Sequence, residues 1–242
     1  MSLAMIVRDA EPTLARALQC VTGLCDELVI VDTGSRDRSR EVAAQMGARV
    51  FDFVWVDDFS AARNYSFEHC TSDWILWLDS DDLIAESSLR LLIELKNELL
   101  TDAIDAIFIP YQSVFSSKDK CELLLYRERL LRRNAGLTWS YPVHELINVL
   151  PERSRFFHNA FVEHRPTEQS RATKLPDRNL RIIEKALANN SLDYRMVFYY
   201  GNELFDHGRY AEAIIAYERF LSAGGRPWER YWAIRSISKC CS

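Results

Sequence analysis

The 242-residue sequence lacks several things that would point elsewhere. Its six cysteines, at positions 20, 25, 70, 121, 240 and 241, form no CxxC pair, and no His/Cys cluster has zinc spacing. Free thiols in a reduced compartment are therefore expected, not a disulfide framework. No basic excess is present: the formal net charge is −5, which argues against a nucleic-acid-binding surface. The apolar run 1–7 is too short for a secretory signal and is followed by Arg8 and Asp9. No apolar run approaches the roughly 20 residues that span a bilayer. Together these absences predict a cytoplasmic protein, with peripheral contact with a membrane surface left open. Residues 7–14 contain no glycine. That speaks against a nucleotidyltransferase, which relies on a Gly-rich phosphate loop after the first strand.

What is present is material for a core. Hydrophobic residues make up 48% and aromatics 12%, which excludes disorder. In the first half, short buried-type runs alternate with amphipathic ones. Residues 3–7, 27–32 (ELVIVD), 49–54 and 74–79 (WILWLD) read as strands. Residues 13–21, 35–46, 59–69 and 87–100 read as helices. This β-α-β order predicts a parallel sheet with helices on both faces. Asp32 and Asp79 end their strands, where such sheets collect ligands. Ser35 and Asp37 are expected to start and cap the following helix. Strand-like runs at 106–111, 122–132 and 156–163 then predict a mixed or antiparallel completion of the same domain.

The polar stretch 167–173 reads as a linker, dividing a domain at 1–166 from a helical tail at 167–242. In the tail, Tyr200-Gly201, Leu204, Gly208, Tyr210, Ala213, Tyr217 and Phe220 fit one tetratricopeptide repeat. Residues 228–241 would open a second. One repeat cannot bury its own face, so the tail is expected to continue past Ser242.

The chemistry concentrates at Asp79-Ser80-Asp81-Asp82. Alternation along an extended chain would put Asp79 and Asp81 on one side. Carboxylates held together repel each other unless a cation lies between them. Mn²⁺ or Mg²⁺ suits such oxygen ligands and bridges to phosphates. Such an ion would neutralise a diphosphate leaving group. A DxD triplet alone is a weak signal; emergence from the WILWL strand gives it weight. Asp32, followed by Thr33, Gly34 and Ser35, could accept from a base N–H or a ribose hydroxyl, or merely start the next helix.

MIVRDAE at 5–11, IVDTGSRDRS at 30–39, DFSAARN at 58–64 and WILWLDSDD at 74–82 resemble the family 2 glycosyltransferases. They resemble in particular the branch carrying tetratricopeptide repeats behind the catalytic domain. The likeness covers residues 3 to about 165. It implies a GT-A fold, a Rossmann-like, nucleotide-sugar-binding mixed sheet with helices on both faces and a tetratricopeptide-like tail. It implies that Asp32 reads the nucleoside, expected to be uridine, with Val7, Asp9 and Glu11 lining the same pocket. Ala10 stands where the family usually carries an acid. Arg63 would meet the diphosphate or sugar, Asp79 the ribose and sugar, and Asp81 the metal.

Inverting transfer needs a carboxylate to take the acceptor's proton. The segment TWSYPVHELI at 138–147 matches the family's later motif, making Glu145 the candidate base. Trp139 and His144 become candidate acceptor contacts, and His164 a candidate third metal ligand. The expected activity is metal-dependent inverting transfer of a hexose from a UDP-linked donor to a glycan, lipid-linked or peptide acceptor, with a protein partner for the repeat also conceivable. The alternative is a catalytically weak nucleotide-sugar-binding scaffold that uses its helical repeats to recruit a partner.

Overall fold

The computed structural model describes residues 1–99, 104–169, 177–189 and 193–241. It divides into two compact units, Met1–Ser140 with Leu146–Lys174, and Tyr141–Glu145 with Leu175–Ser242. The strap Tyr141–Glu145, from the middle of the first unit's sequence, joins the second. Of the expected linker, residues 170–173 lie outside the described residues, as does residue 100 of the expected fourth helix.

The first unit follows the alternation of its sequence. Strand β1 (Ser2–Val7) leads to α1 (Glu11–Gln19), β2 (Glu27–Asp32) to α2 (Ser39–Gln45), and β3 (Arg49–Asp52) to α3 (Phe59–Glu68). Strand β4 (Trp74–Trp77) is followed by the two-residue β5 (Asp82–Leu83) and α4 (Glu86–Glu98). A long hairpin, β6 (Ala106–Phe115) and β7 (Cys121–Arg132), comes next. Short strands β8 (Trp139–Ser140), β9 (Leu146–Ile147), β10 (Ser154–Phe156) and β11 (Val162–His164) complete it. The run expected as one strand at 156–163 is therefore two, β10 and β11. Both pair with β6, at residues 106–108 and 111–112 respectively.

Among the described residues, the main sheet has the order β3-β2-β1-β4-β7-β6-β11-β5, with β10 also on β6. Strands β3, β2, β1 and β4 run parallel. Strand β7 is antiparallel to both β4 and β6. Period-2 alternation sorts the side chains. Leu3, Met5, Leu76 and Leu130 pack with Leu14, Ala43 and Leu92 of α1, α2 and α4. Ala4, Ile75, Trp77 and Leu131 pack on the opposite face, with Phe67 of α3. Burial on both faces explains why these strands read as continuous apolar runs.

Helix α3 starts where Asp58 caps it, its carboxylate accepting from the Ala61 amide at 3.0 Å. Helix α2 begins at Ser39, four residues later than the sequence predicts. Residues 35–38 form a loop whose polar groups reach outside the helix, and Asp37 accepts from the Ser39 amide at 3.0 Å without being the cap residue.

The second unit contains α5 (Arg178–Asn189), α6 (Tyr194–Asp206), α7 (Tyr210–Ala223) and α8 (Pro227–Cys240). Helices α6 and α7 form the hairpin of the tetratricopeptide pattern. A Cβ on Gly201 would lie 2.7 Å from Tyr217 Cε1, so only glycine admits this approach. Phe198, Leu204, Ala213, Tyr217 and Phe220 fill the core. No helix among the described residues is long and apolar enough to cross a membrane.

Candidate active site

The loops after β1 and β2 are tied together by side chains. Ser35 Oγ accepts from the Asp9 amide at 2.9 Å, and Asp9 Oδ1 accepts from the Arg36 amide at 2.7 Å. Ser39 Oγ accepts from the Ala10 amide, and Asp37 Oδ2 from the Glu11 amide. Glu11 in turn accepts from the amide and Nε of Arg38 at 3.1 and 2.9 Å. The acids at positions 9 and 11 therefore have partners within the protein. They fix the two loops to each other, and Asp9 takes φ +50°, a left-handed conformation that aspartate tolerates. Val7 is buried, and its carbonyl accepts both the amide and hydroxyl of Thr33.

Asp32 sits between Val7 and Asp52 in the sheet register and is 2% exposed. Its Oδ1 accepts from the amides of Gly34 and Ser35, each at 3.0 Å. Its Oδ2 is buried with no hydrogen-bond partner among the described residues. A buried acceptor without a donor is costly, and this oxygen could accept from a ligand's N–H or hydroxyl.

Strand β4 ends at Trp77, and residues 79–82 form a tight turn in which the Asp82 amide donates to the Asp79 carbonyl at 3.0 Å. The extended alternation predicted from sequence does not hold here. A turn sends the acids to different partners. Asp79 Oδ1 receives Arg63 Nη2 at 2.9 Å. Arg63 is buried on α3, its guanidinium 4.4 Å from the centre of the Trp77 ring. Burial works against ionisation of Asp79, but Arg63 and then Arg129 outweigh it and hold its carboxyl well below the usual carboxylate range.

Asp82 points into the protein and is fully buried. Arg129 of β7, itself 1% exposed, pairs with it at 2.9 Å and donates to the Trp77 carbonyl at 3.1 Å. The Arg129 guanidinium lies between the rings of Trp77 and Tyr111, 3.9 and 4.5 Å from their centres. Tyr111 donates to Asp82 Oδ1 at 2.9 Å. Burial, reinforced by the charges of Asp82 and Asp79, pushes its phenol up, so it stays a donor. Sequence reasoning missed this trio. The available signal was an arginine inside the apolar run LLLYRERLL, because a buried guanidinium requires a carboxylate.

Pairing of β5 with β11 sets His164 opposite Asp82. His164 Nδ1 lies 3.5 Å from Oδ1 of both Asp81 and Asp82. Asp81, Asp82 and His164 thus offer ligand atoms within 4.8 Å of one another, a set that could hold a metal ion. Both oxygens of Asp82 already accept bonds, from Tyr111, Arg129 and the Asp79 amide. Asp82 is thus tied into the protein, and Asp81 and His164 are the other two members of the set.

Trp139, expected as an acceptor wall, is 3% exposed and meets Trp77 edge-on at 5.1 Å. Its main chain is held by Asn64, which accepts from its amide at 2.8 Å and donates to its carbonyl at 2.9 Å. A ring so enclosed offers no face to a sugar, so that expectation is corrected. His144 and Glu145 belong to the strap of the second unit. There the His144 ring stacks on Tyr199 at 3.9 Å and 12°.

A sheet parallel through β3, β2, β1 and β4 and completed by the antiparallel β7, with helices on both faces, is a GT-A fold. A crystal structure of S. aureus TarS 1-349 in complex with UDP-GlcNAc superposes with TM-score 0.56 at 14% identity, covering 99% of this chain and 88% of that one. The model of Glycosyl transferase family 2 matches residues 2–152, and the chain belongs to that family. A TPR repeat-containing protein of Synechococcus elongatus is 38% identical over 149 residues, covering 61% of this chain and 35% of the relative. The SPbeta prophage-derived glycosyltransferase SunS of Bacillus subtilis is 23% identical over 225 residues, covering 87% of this chain and 50% of SunS. The chain therefore spans between a third and a half of the length of these two relatives.

Proposed function

We propose that this chain transfers a hexose from a UDP-linked donor to an acceptor with inversion, using Mn²⁺ or Mg²⁺. The observation that carries the reading is the Asp79–Asp82 turn, seated on buried Arg129 with His164 placed 3.5 Å from two of its carboxylates. Asp81 and His164 would hold the ion, which supplies positive charge to a departing diphosphate. One carboxylate and one imidazole, beside the already bonded carboxylate of Asp82, leave further positions for diphosphate oxygens on a divalent cation. Asp32 Oδ2 would accept from the base or ribose. Asp79, kept ionised by its two arginines, would accept from ribose and sugar hydroxyls. Arg63, buried beside Asp79, would meet the diphosphate side of the donor. Val7, Asp9 and Glu11 shape the base pocket.

In the reaction, Glu145 takes the proton from an acceptor hydroxyl. The acceptor oxygen bonds to the anomeric carbon while that carbon's bond to the diphosphate breaks, and UDP leaves. His144 would lie against the acceptor. The acceptor class is a glycan, a lipid carrier or a peptide, and the reaction is placed in the cytoplasm.

The test is turnover, read as UDP release from UDP-sugars with Mn²⁺, together with calorimetry of UDP binding. Asp81→Ala is expected to lower metal-dependent turnover by at least about a hundredfold, the scale of losing a principal charge-stabilising group. Full turnover in that variant sinks the metal assignment.

A further inference from the structure

The candidate base does not lie on the sheet that carries the acids. It lies on the strap Tyr141–Glu145, which groups with the helices of the second unit. We infer that α6 holds the strap in its working shape, with Arg195, Tyr199 and Glu203 acting as positioning residues for Glu145. The inference rests on the reading of Glu145 as base.

The three residues recur at intervals of four, so they share one face of α6. Each grips His144 at a different point. Arg195 Nη2 donates to the His144 carbonyl at 2.8 Å. The Tyr199 ring stacks on the imidazole, 3.9 Å away and within 12° of parallel. Glu203 Oε1 lies 3.6 Å from His144 Nε2. The Arg195 guanidinium also sits 5.3 Å from the centre of the Tyr141 ring, at the other end of the strap. The carbonyl bond and the stacked ring together leave His144 little freedom, and Glu145 is its chain neighbour.

Two further observations make the grip more than packing. Tyr141 and His144 have φ of +75° and +53°, left-handed values that cost a side-chain-bearing residue roughly 1–2 kcal/mol each. Such conformations persist where surroundings over-determine them and cluster where function needs them. Arg195 is in turn anchored by Glu229 of α8 at 3.4 Å, with Arg195 5% and Glu229 1% exposed. A buried ion pair is a poor stabiliser compared with apolar packing. This one holds a guanidinium at the strap's carbonyl. Asp193 fixes the start of α6 by accepting from the Met196 amide at 3.0 Å, which sets Arg195 in the first turn. The tetratricopeptide-like hairpin is then part of the acceptor-side machinery as well as any surface for a partner.

The test compares Arg195→Met, Arg195→Met/Glu229→Gln and Glu145→Gln in UDP release from UDP-glucose and UDP-N-acetylglucosamine with Mn²⁺. The double variant removes the charge that Arg195→Met alone would strand. Misplacement of a catalytic group on the ångström scale predicts a fall in kcat of about ten- to a hundredfold. Donor KM and the calorimetric Kd for UDP stay within about twofold, since the donor contacts are untouched. Amide exchange at 141 and 143–145 rises, while that of β1 and β2 does not. A merely structural role would lower stability without this split between kcat and KM. If Glu145→Gln is inactive and the Arg195 variants keep wild-type kcat, the positioning role is wrong and the base stands. If Glu145→Gln keeps wild-type turnover, the base reading falls and takes this inference with it. Tyr199→Leu, which removes the stacking face but keeps an apolar side chain there, carries the same test should the Arg195 variants fail to fold.

Discussion

Asp32 and Asp82 stand where strand register puts them, whereas His144 and Glu145 stand where the side chains of a distant helix hold them. At the end of the sheet that carries the acids, β1 and β2 run parallel and stop together at Val7 and Asp32, and the parallel β4 stops three residues short, opposite Ala4, before its turn carries Asp79 to Asp82 onward. Local bonds then finish the job, as between Asp9 and Arg36 or Glu11 and Arg38. The strap has no such frame. Its five residues include two left-handed ones, and the described contacts of His144 go to α6. A family that keeps one donor and varies its acceptors would gain from this division. The sheet can stay fixed while the strap and its helices change.

The comparison can be broken from the sheet side first. Arg129→Met leaves Asp82 buried without its cation, which should cost about 3–5 kcal/mol. Chemical denaturation of the isolated variant would measure it. A loss below about 1 kcal/mol would mean that the turn does not depend on Arg129, and the account of the donor end would need another anchor. From the helical side, Gly201→Ala drives a methyl against Tyr217, whose hydroxyl is also bonded to Asn202 at 2.8 Å. Overpacking of this kind should cost about 1–3 kcal/mol, read as a shift in the unfolding midpoint. If the two units melt independently, the Gly201→Ala loss appears in one transition and the Arg129→Met loss in the other.

The donor end was legible where the signal was local. ELVIVD and WILWL are runs of β-branched and aromatic residues that end in acids, and strand alternation followed from them. Asp81 and His164 both stand out in the sequence as candidate ligands, and the fold puts His164 Nδ1 3.5 Å from Asp81 Oδ1. The partners that decide what each acid does were not legible. Arg129 lies 47 positions beyond Asp82 in sequence, and only the order β4-β7-β6 brings it underneath. Alternation also misled at Asp79 and Asp81, because the chain leaves the strand at Trp77 and turns. Trp139 reads as a sugar platform in a motif rich in aromatics, yet the sheet face beside Trp77 consumes it. The strap was legible only as a motif, because its support comes from Arg195, 50 residues past Glu145.

The smallest effect expected concerns pH and bears on that support. Burial works against the charge of Glu203, but His144, Asn179 and His207 outweigh it and hold its carboxyl below the ordinary glutamate value. A group whose pKa is depressed by folding stabilises the folded state above its unfolded pKa, here about 4.5. That stabilisation is lost as the pH falls through the lower, folded value. Glu203→Gln cannot contribute it at any pH. Wild type should therefore melt above Glu203→Gln at pH 7 by an amount worth about 1 kcal/mol or less, the scale of a single partly screened pair. The gap should close as the pH is taken from 5 towards 3. A gap that stays constant across that range would mean that the Glu203 charge is not what faces His144, and that Arg195 and Tyr199 hold the strap without it.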